Sequence, residues 1–186
     1  MTGRLGAKGL LVLDRDGVIN RDSSEFVKSR DEWIPLPGSI RAIADLSRSG
    51  YTVAVATNQS GLARGLLDRN ALRAMNRKLR SLVEAEGGRV DRIVVCPHGP
   101  DDGCRCRKPM PGLLNRLARH YGTALDGVPF VGDSLRDLQT ALAAGATPVL
   151  VRTGNGARTA RELPDELCGV PVHDDLAAFA ANLLAN

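Results

Sequence analysis

The segment Leu10–Asn20, LLVLDRDGVIN, constrains this chain more than any other. Four apolar residues run directly into Asp14, and Asp16 and Gly17 follow at once. An unbroken apolar run of this length reads as a strand buried on both faces, as in parallel sheets. It delivers two carboxylates to the carboxyl end of a strand, where open α/β sheets bind ligands. A carboxylate beside apolar sequence is costly unless a cation or hydrogen bonds receive it. Two acids one residue apart point to a metal ion.

The rest of the chain alternates between strand and helix signals. Further apolar strands are expected at Tyr51–Ala56, Arg92–Val95, Val128–Val131 and Pro148–Val151. A helix over Pro37–Arg48 carries Ile40, Ile43, Ala44 and Leu46, with a proline start and Gly50 as its stop. Asp68 is placed to cap a helix with the stripe Leu72, Met75, Leu79, Leu82 and Val83, which ends by Gly87–Gly88. Helices follow at Pro111–Tyr121, Leu135–Ala144 and Asp174–Leu184. Residues 21–36 and 154–169 read as loops, the second on the surface. The alternation implies an α/β fold, a parallel sheet with helices on both faces. With 186 residues and no repeat, linker or low-complexity tract, one domain over 1–186 is expected.

Composition excludes some functions. Aromatics make up 3% of the chain, too few for the stacking platforms of a single-stranded nucleic-acid binder. The net charge of +4 suits an anionic small molecule, but the basic residues are dispersed rather than gathered in a block. The start, MTGRLGAKG, has no apolar core, and the first apolar run is short and ends in an acid. Neither a signal peptide nor a membrane span is read, so a cytoplasmic protein with no membrane or nucleic-acid partner is expected, with a monomer as the neutral assumption.

Four chemical sites fall at strand ends: Asp14 and Asp16, then Thr57–Asn58–Gln59, then the stretch Cys96 to Lys108, then Asp133. One edge of a parallel sheet is one place, so these residues should converge. Asp14 and Asp133 are hard oxygen donors suited to Mg²⁺, which needs few carboxylates when phosphate oxygens are present. Thr57 offers a hydroxyl and Lys108 a fixed positive charge, a set that stabilises a phosphoryl group in transfer. With its charge neutralised, Asp14 can attack phosphorus and form an aspartyl phosphate. Asp16 can serve the leaving group and then the water, given a raised pKa. Asp137, one helical turn beyond Asp133, reads as a partner of first-turn amides rather than a metal ligand. The plainer alternative makes Asp14 and Asp16 solvated turn residues.

Three of the four cysteines lie close together in CPHGPDDGCRC, as Cys96-x-His98 and Cys104-x-Cys106. Two chelating pairs joined by a loop with Pro100 and Gly103 can wrap one tetrahedral Zn²⁺. With all four positions filled by protein the ion is structural. Because Arg107 and Lys108 follow directly, a zinc-bound loop over 96–106 would aim both at the phosphate. His120 and His173 read as surface or helix-end residues, and Cys168 as a half-buried thiol.

Together these residues resemble the haloacid dehalogenase-like (HAD) phosphatases: Asp14-Arg15-Asp16-Gly17-Val18 as the first motif, Thr57 as the second, Lys108 as the third, and Gly132-Asp133-Ser134 with Asp137 as the fourth. Within that group, LDRDGVIN, TNQSGLARG, CPH…CRCRKP, VGDSLRD and LVRTG resemble the heptose-bisphosphate phosphatases over nearly the whole chain. The resemblance implies a Rossmann-like three-layer sandwich with sheet order 3-2-1-4-5 and little or no cap domain. It implies Asp14 as nucleophile, Asp16 as acid and base, and Thr57 and Lys108 steadying the phosphoryl group. Mg²⁺ would be held by Asp14, the Asp16 carbonyl and Asp133, and Zn²⁺ by the Cys96, His98, Cys104 and Cys106 set. Asn58, Gln59, Ser60, Arg107 and Ser134 would contact a sugar bisphosphate, with Asp22–Glu25 where relatives touch the sugar. The implied reaction removes the C7 phosphate, in the synthesis of lipopolysaccharide or other surface-polysaccharide precursors. Arg107 with nearby Arg64 suits a substrate bearing two phosphates.

The short loop between His98 and Cys104 also occurs in histidinol-phosphate phosphatases, which keeps that substrate open. More distant alternatives are a polynucleotide 3′-phosphatase and a zinc-knuckle nucleic-acid-binding module.

Overall fold

The computed structural model describes residues 3, 5–23 and 25–185. Ser24, inside the Asp22–Glu25 stretch, and Met1, Thr2 and Arg4 of the N-terminal segment lie outside the described residues. The elements run β1 (Leu10–Leu13), α1 (Ser39–Arg48), β2 (Thr52–Asn58), α2 (Arg69–Ala85), β3 (Arg92–Cys96), α3 (Gly112–Tyr121), β4 (Pro129–Gly132), α4 (Leu135–Ala144), β5 (Thr147–Val151), α5 (Gly156–Thr159), a 3₁₀ turn at Asp165–Leu167, β6 (Val172–His173) and α6 (Leu176–Ala185).

All strand pairs are parallel, and the sheet order is β3-β2-β1-β4-β5-β6. The expected five-strand order stands, extended by β6, whose two residues are too few to show a pattern in sequence. Alternate residues along the strands face opposite layers. Leu11, Leu13, Val53, Val55, Val131 and Val149 join a core built with α1, α2 and α6. Leu10, Val12, Ala54, Ala56, Val94 and Phe130 join a second core with α3 and Ala141 of α4. The apolar runs are therefore continuous because both faces are covered. This is the α/β three-layer sandwich that the resemblance implied. Among the described residues, neither the β1–α1 nor the β3–α3 connection contains a helix or a strand of its own, so no cap-sized insertion is seen over the sheet edge.

Several boundaries differ from expectation for local reasons. α1 starts at Ser39, because Gly38 takes a left-handed conformation (φ 75°) that Pro37 cannot join to the helix. α6 starts at Leu176, because the Asp175 carboxylate accepts from the Ala178 N–H at 2.7 Å and caps it there. Asp68 caps α2 as expected, accepting from Asn70 and Ala71 at 2.7 Å each. Thr57 and Asn58 do not follow β2 but close it, paired with Val95 and Cys96 of β3. The 154–169 segment is not a simple surface loop. It holds α5 and the 3₁₀ turn, and Leu167 packs with Leu138 and Leu150. Cys168 is exposed rather than half-buried, since the turn points Leu167 inward in its place. His120 lies in the last turn of α3, in contact with Arg92 and edge-on to Tyr121, while His173 lies on β6 against Phe179. Trp33 is fully buried within the expected 21–36 loop, and Lys78 donates to its carbonyl oxygen at 2.7 Å.

Candidate active site

The carboxyl ends of β1, β2 and β4 open into one cleft of about 300 Å³, lined by Asp14, Asp16, Thr57, Gln59, Lys108 and Asp133 among others. The spatial expectation drawn from the strand ends is met. Asp14, Asp133 and Asp137 each bring a carboxylate oxygen within 4.8 Å of the others. All three are buried, and Asp16, 20% exposed at its side chain, is held by Arg15, Asn20 and Gln59, so neither Asp14 nor Asp16 is a solvated turn residue.

Lys108 is the cation among them. Its Nζ lies 2.8 Å from Asp14 Oδ1 and 2.6 Å from Asp137 Oδ1, with a side chain only 3% exposed. Burial disfavours its charge, but Asp137 and Asp14 hold the ammonium well above its usual range. Burial pushes the Asp14 carboxyl well up, and Asp137 and Asp133 push the same way against Lys108. Burial and then Asp137 raise Asp133 to about 6, although Asn155 donates to it. Three buried carboxylates against one ammonium leave a deficit of two positive charges, the charge of Mg²⁺. Asp14 Oδ1 is occupied by the Arg15 N–H and Lys108, and Asp133 Oδ2 by Asn155. The donor set therefore fits a hard divalent cation at Asp14 and Asp133. Asp137 is committed elsewhere. Its Oδ2 accepts from the Ser134 N–H at 3.1 Å and hydroxyl at 2.6 Å, closing a capping box at the start of α4.

Asp16 departs from expectation. Burial works against its charge, yet the carboxyl is held below its usual range by Arg15 and by hydrogen bonds from Asn20, Arg15 and Gln59. Arg15 grips it from Nε at 3.3 Å and Nη2 at 3.0 and 3.1 Å, Asn20 donates at 2.9 Å and Gln59 at 2.7 Å. The raised pKa on which its acid role was conditional is thus not met in the resting structure, because of a buried guanidinium that sequence spacing gave no reason to turn inward.

The remaining expected residues divide in two. Gln59 Nε2 also donates to Thr57 Oγ1 at 2.9 Å, which links the hydroxyl to Asp16. Asn58 pins Lys108 twice, Nδ2 to its carbonyl at 3.2 Å and Oδ1 from its N–H at 3.1 Å, and the Lys108–Pro109 bond that follows is cis. Asn58 is thus a support of Lys108 as well as a cleft residue. Ser60, Arg107 and Ser134 line the cleft, and Arg107 Nη1 also donates to the His98 carbonyl at 3.2 Å.

Sequence reasoning missed Asn155 and the glycines around Asp133. Asn155 donates to Asp133 Oδ2 from its N–H at 2.8 Å and from Nδ2 at 3.2 Å. A Cβ on Gly17 (φ 80°) or Gly154 (φ 57°) would collide with the Asp133 carboxylate, so two turns close on it only without side chains. The LVRTG string ending at Gly154 was the available signal.

Behind the cleft, Cys96, His98, Cys104 and Cys106 form a second group of ligand atoms, all within 4.8 Å. The Sγ–Sγ separations are 3.3, 3.6 and 3.7 Å, and His98 Nδ1 lies 3.6 and 3.2 Å from Cys96 and Cys106 Sγ. A tetrahedron with metal–sulfur bonds of about 2.3 Å has edges of roughly 3.8 Å, so the cluster is close to that size. Burial pushes the Cys96 thiol up to about 12. Cys104 comes down to about 7, because N–H groups of Cys106 and Arg107 outweigh its burial.

Fold and site together define a HAD-like hydrolase of the phosphatase kind. A HAD-hydrolase-like family model matches residues 105–179. The chain is 58% identical over 179 residues to the D-glycero-beta-D-manno-heptose-1,7-bisphosphate 7-phosphatase of Pseudomonas aeruginosa, covering 96% of this chain and 99% of that protein. It is 57% identical over 177 residues to the enzyme of the same name from Bordetella bronchiseptica, covering 94% and 97%. A crystal structure of the D,D-heptose 1,7-bisphosphate phosphatase from B. bronchiseptica, complexed with magnesium and phosphate, superposes with a TM-score of 0.91 at 56% identity, over 95% of this chain and 98% of that one. The corresponding phosphatase from Burkholderia thailandensis gives 0.74 at 44%, over 96% and 99%. The chain belongs to the family of D-glycero-β-D-manno-heptose-1,7-bisphosphate 7-phosphatases.

Proposed function

We propose that this chain removes the C7 phosphate of D-glycero-D-manno-heptose 1,7-bisphosphate through an aspartyl-phosphate intermediate, in the supply of heptose precursors for lipopolysaccharide core or surface polysaccharide. One observation carries the reading: Asp14, Asp133 and Lys108 meet at the floor of a single cleft, in a chain 58% identical along nearly its whole length to such an enzyme. A Mg²⁺ ion held by Asp14, the Asp16 carbonyl and Asp133 supplies Lewis acidity and offsets the crowded negative charge.

Asp14 is the nucleophile. Its Oδ1 is fixed by the Arg15 N–H at 2.6 Å and by Lys108, so the carboxylate cannot rotate away from phosphorus. Thr57 and Lys108 present a hydroxyl and an ammonium to the phosphoryl oxygens. As the Asp14–phosphorus bond forms, the bond to the C7 oxygen breaks, and that oxygen takes a proton from Asp16. Water then attacks phosphorus, giving its proton back to Asp16 and freeing Asp14 and inorganic phosphate. The carboxylate form that Arg15 and Gln59 favour is the form that accepts the water proton. The donor role requires those contacts to loosen when substrate enters.

Cys96, His98, Cys104 and Cys106 hold a structural Zn²⁺ in this reading, supported by the size of the cluster and its four protein ligands. The ion would order the 96–106 loop that leads into Arg107 and Lys108. The chain acts as one catalytic domain over 1–186, a cytoplasmic monomer. No helix among the described residues is long and apolar enough to cross a membrane. Large apolar side chains exposed among the described residues are confined to Ile34, Leu66, Met110 and Leu142, which offer little surface for subunit pairing.

The test is phosphate release from both anomers of the heptose bisphosphate, histidinol phosphate and a 3′-phosphorylated oligonucleotide. The heptose bisphosphate is expected to have the highest kcat/KM, with Asp14→Asn inactive on it. Preference for histidinol phosphate would replace the substrate, and an active Asp14→Asn would remove the nucleophile.

A further inference from the structure

The cleft has a floor and a mouth. Asp14, Lys108 and Asp133 are buried, so a phosphoryl group bound there lies at the bottom. Whatever the substrate carries at its other end must lie toward solvent. Phe26, Val27, Leu67 and Arg64 line the same cleft, and of these four Arg64 is the exposed one.

Arg64 is unusually well seated for a surface arginine. Its guanidinium carbon lies 5.6 Å from the centre of the Phe26 ring. Phe26 is the one non-glycine residue with a positive φ (63°) among the described residues, a conformation that costs an aromatic residue about 1–2 kcal/mol and persists where surroundings impose it. The turn carrying Arg64 is tight: its N–H donates to the Ser60 carbonyl at 3.1 Å, and Leu66 and Leu67 both donate to that of Gly61. A Cβ at Gly61 would come within 3.2 Å of Leu67 Cβ and 3.8 Å of Phe26 Cδ1, so the turn and the ring are already in close packing. No carboxylate among the described residues forms an ion pair with Arg64. Asp22, the acid at the same mouth, faces Asn155 at 3.4 Å. Of the other arginines lining the cleft, Arg107 is tied to the His98 carbonyl and Arg15 to Asp16, while Arg136 is exposed like Arg64 but, among the described residues, lies over no aromatic ring.

We propose that Arg64, seated on the face of Phe26, is a specificity-determining residue that receives the phosphate retained by the product, at the end of the substrate away from the reacting phosphorus. The inference deepens the sugar-bisphosphate reading and rests on it. A guanidinium with its donors uncommitted can take a phosphate bidentately, and the ring removes much of the side-chain freedom that binding would otherwise cost. Because the contact is the same in ground and transition states, it lowers KM more than it raises kcat.

The experiment compares kcat/KM for the heptose 1,7-bisphosphate and the heptose 7-monophosphate in wild type, Arg64→Ala, Arg64→Lys and Phe26→Gly. The ratio of the two substrates is the readout. It is expected to fall at least tenfold in Arg64→Ala, chiefly through KM for the bisphosphate, and to recover in part with lysine. Phe26→Gly tolerates the left-handed backbone but removes the ring, and an intermediate fall is expected. A high wild-type ratio left intact by Arg64→Ala overturns this inference alone. Equal losses on both substrates in Arg64→Ala also overturn it. A wild-type ratio near one overturns both this inference and the bisphosphate reading.

Discussion

Asp137 and Lys108 form a buried ion pair at 2.6 Å, with Asp137 wholly enclosed and Lys108 3% exposed. The same carboxylate caps α4 through Ser134, so the helix start and the lysine that faces Asp14 share one anchor. Gly132 makes room for it, since a Cβ there would overlap the Asp137 side chain. Replacing Lys108 by Met leaves the two acids buried without their cation. The expected cost is about 3–5 kcal/mol of stability, roughly a 10 °C fall in Tm for a chain of this size. Turnover should fall far more than KM rises. An unchanged Tm in calorimetry would mean that the pair is not buried as described.

Metal binding should weaken as pH falls. The Asp133 carboxyl is raised to about 6 by burial and by Asp137, and that of Asp14 is raised as well. Raised carboxyls bind protons more readily in the folded chain than in the unfolded one. Without metal, the cost of Asp133 to the fold is therefore fully present above about pH 6 and disappears as pH falls toward the ordinary value of 3.8, and the raised Asp14 acts in the same direction. Mg²⁺ competes with those protons. Titration by thermal shift should show a large stabilisation by Mg²⁺ at pH 7.5 and little at pH 5, and a pH-independent effect would place the ion elsewhere.

Gly154→Ala tests the closeness of the turn on Asp133. The new methyl would strike the carboxylate and sit at a φ of 57°. A loss of roughly 1–2 kcal/mol is expected from the backbone alone, together with at least tenfold weaker apparent Mg²⁺ affinity. Wild-type metal dependence in this variant would show that Asp133 does not need the approach.

The Cys and His group should bind one zinc per chain, measured by elemental analysis of the purified protein. Cys104→Ser should lose the metal and lower Tm. If the ion orders the path to Lys108, removal by chelation with Mg²⁺ then restored in excess should cut turnover. Full activity of the zinc-free enzyme would confine the ion to a role away from catalysis.

Some of this was readable one residue at a time. The apolar runs, the acid at the end of β1 and the cysteine spacing are local patterns, and local patterns fix element type and the edge where side chains gather. Asp14, Thr57, Lys108 and Asp133 were legible for that reason. β6 was not, because two residues carry no period. Asn155 was not, because its role depends on the 154–169 segment folding back against Leu138 and Leu150.

By itself, the sequence determined the parallel α/β sheet and the set of groups at its carboxyl edge, because hydrophobic period and strand-end placement are properties of short segments. Only the tertiary structure decided the protonation and partners of those groups. Burial and neighbouring charge come from residues distant along the chain, and they raised Asp14 and Asp133, lowered Asp16 through Arg15 and Gln59, and bound Lys108 to Asp137.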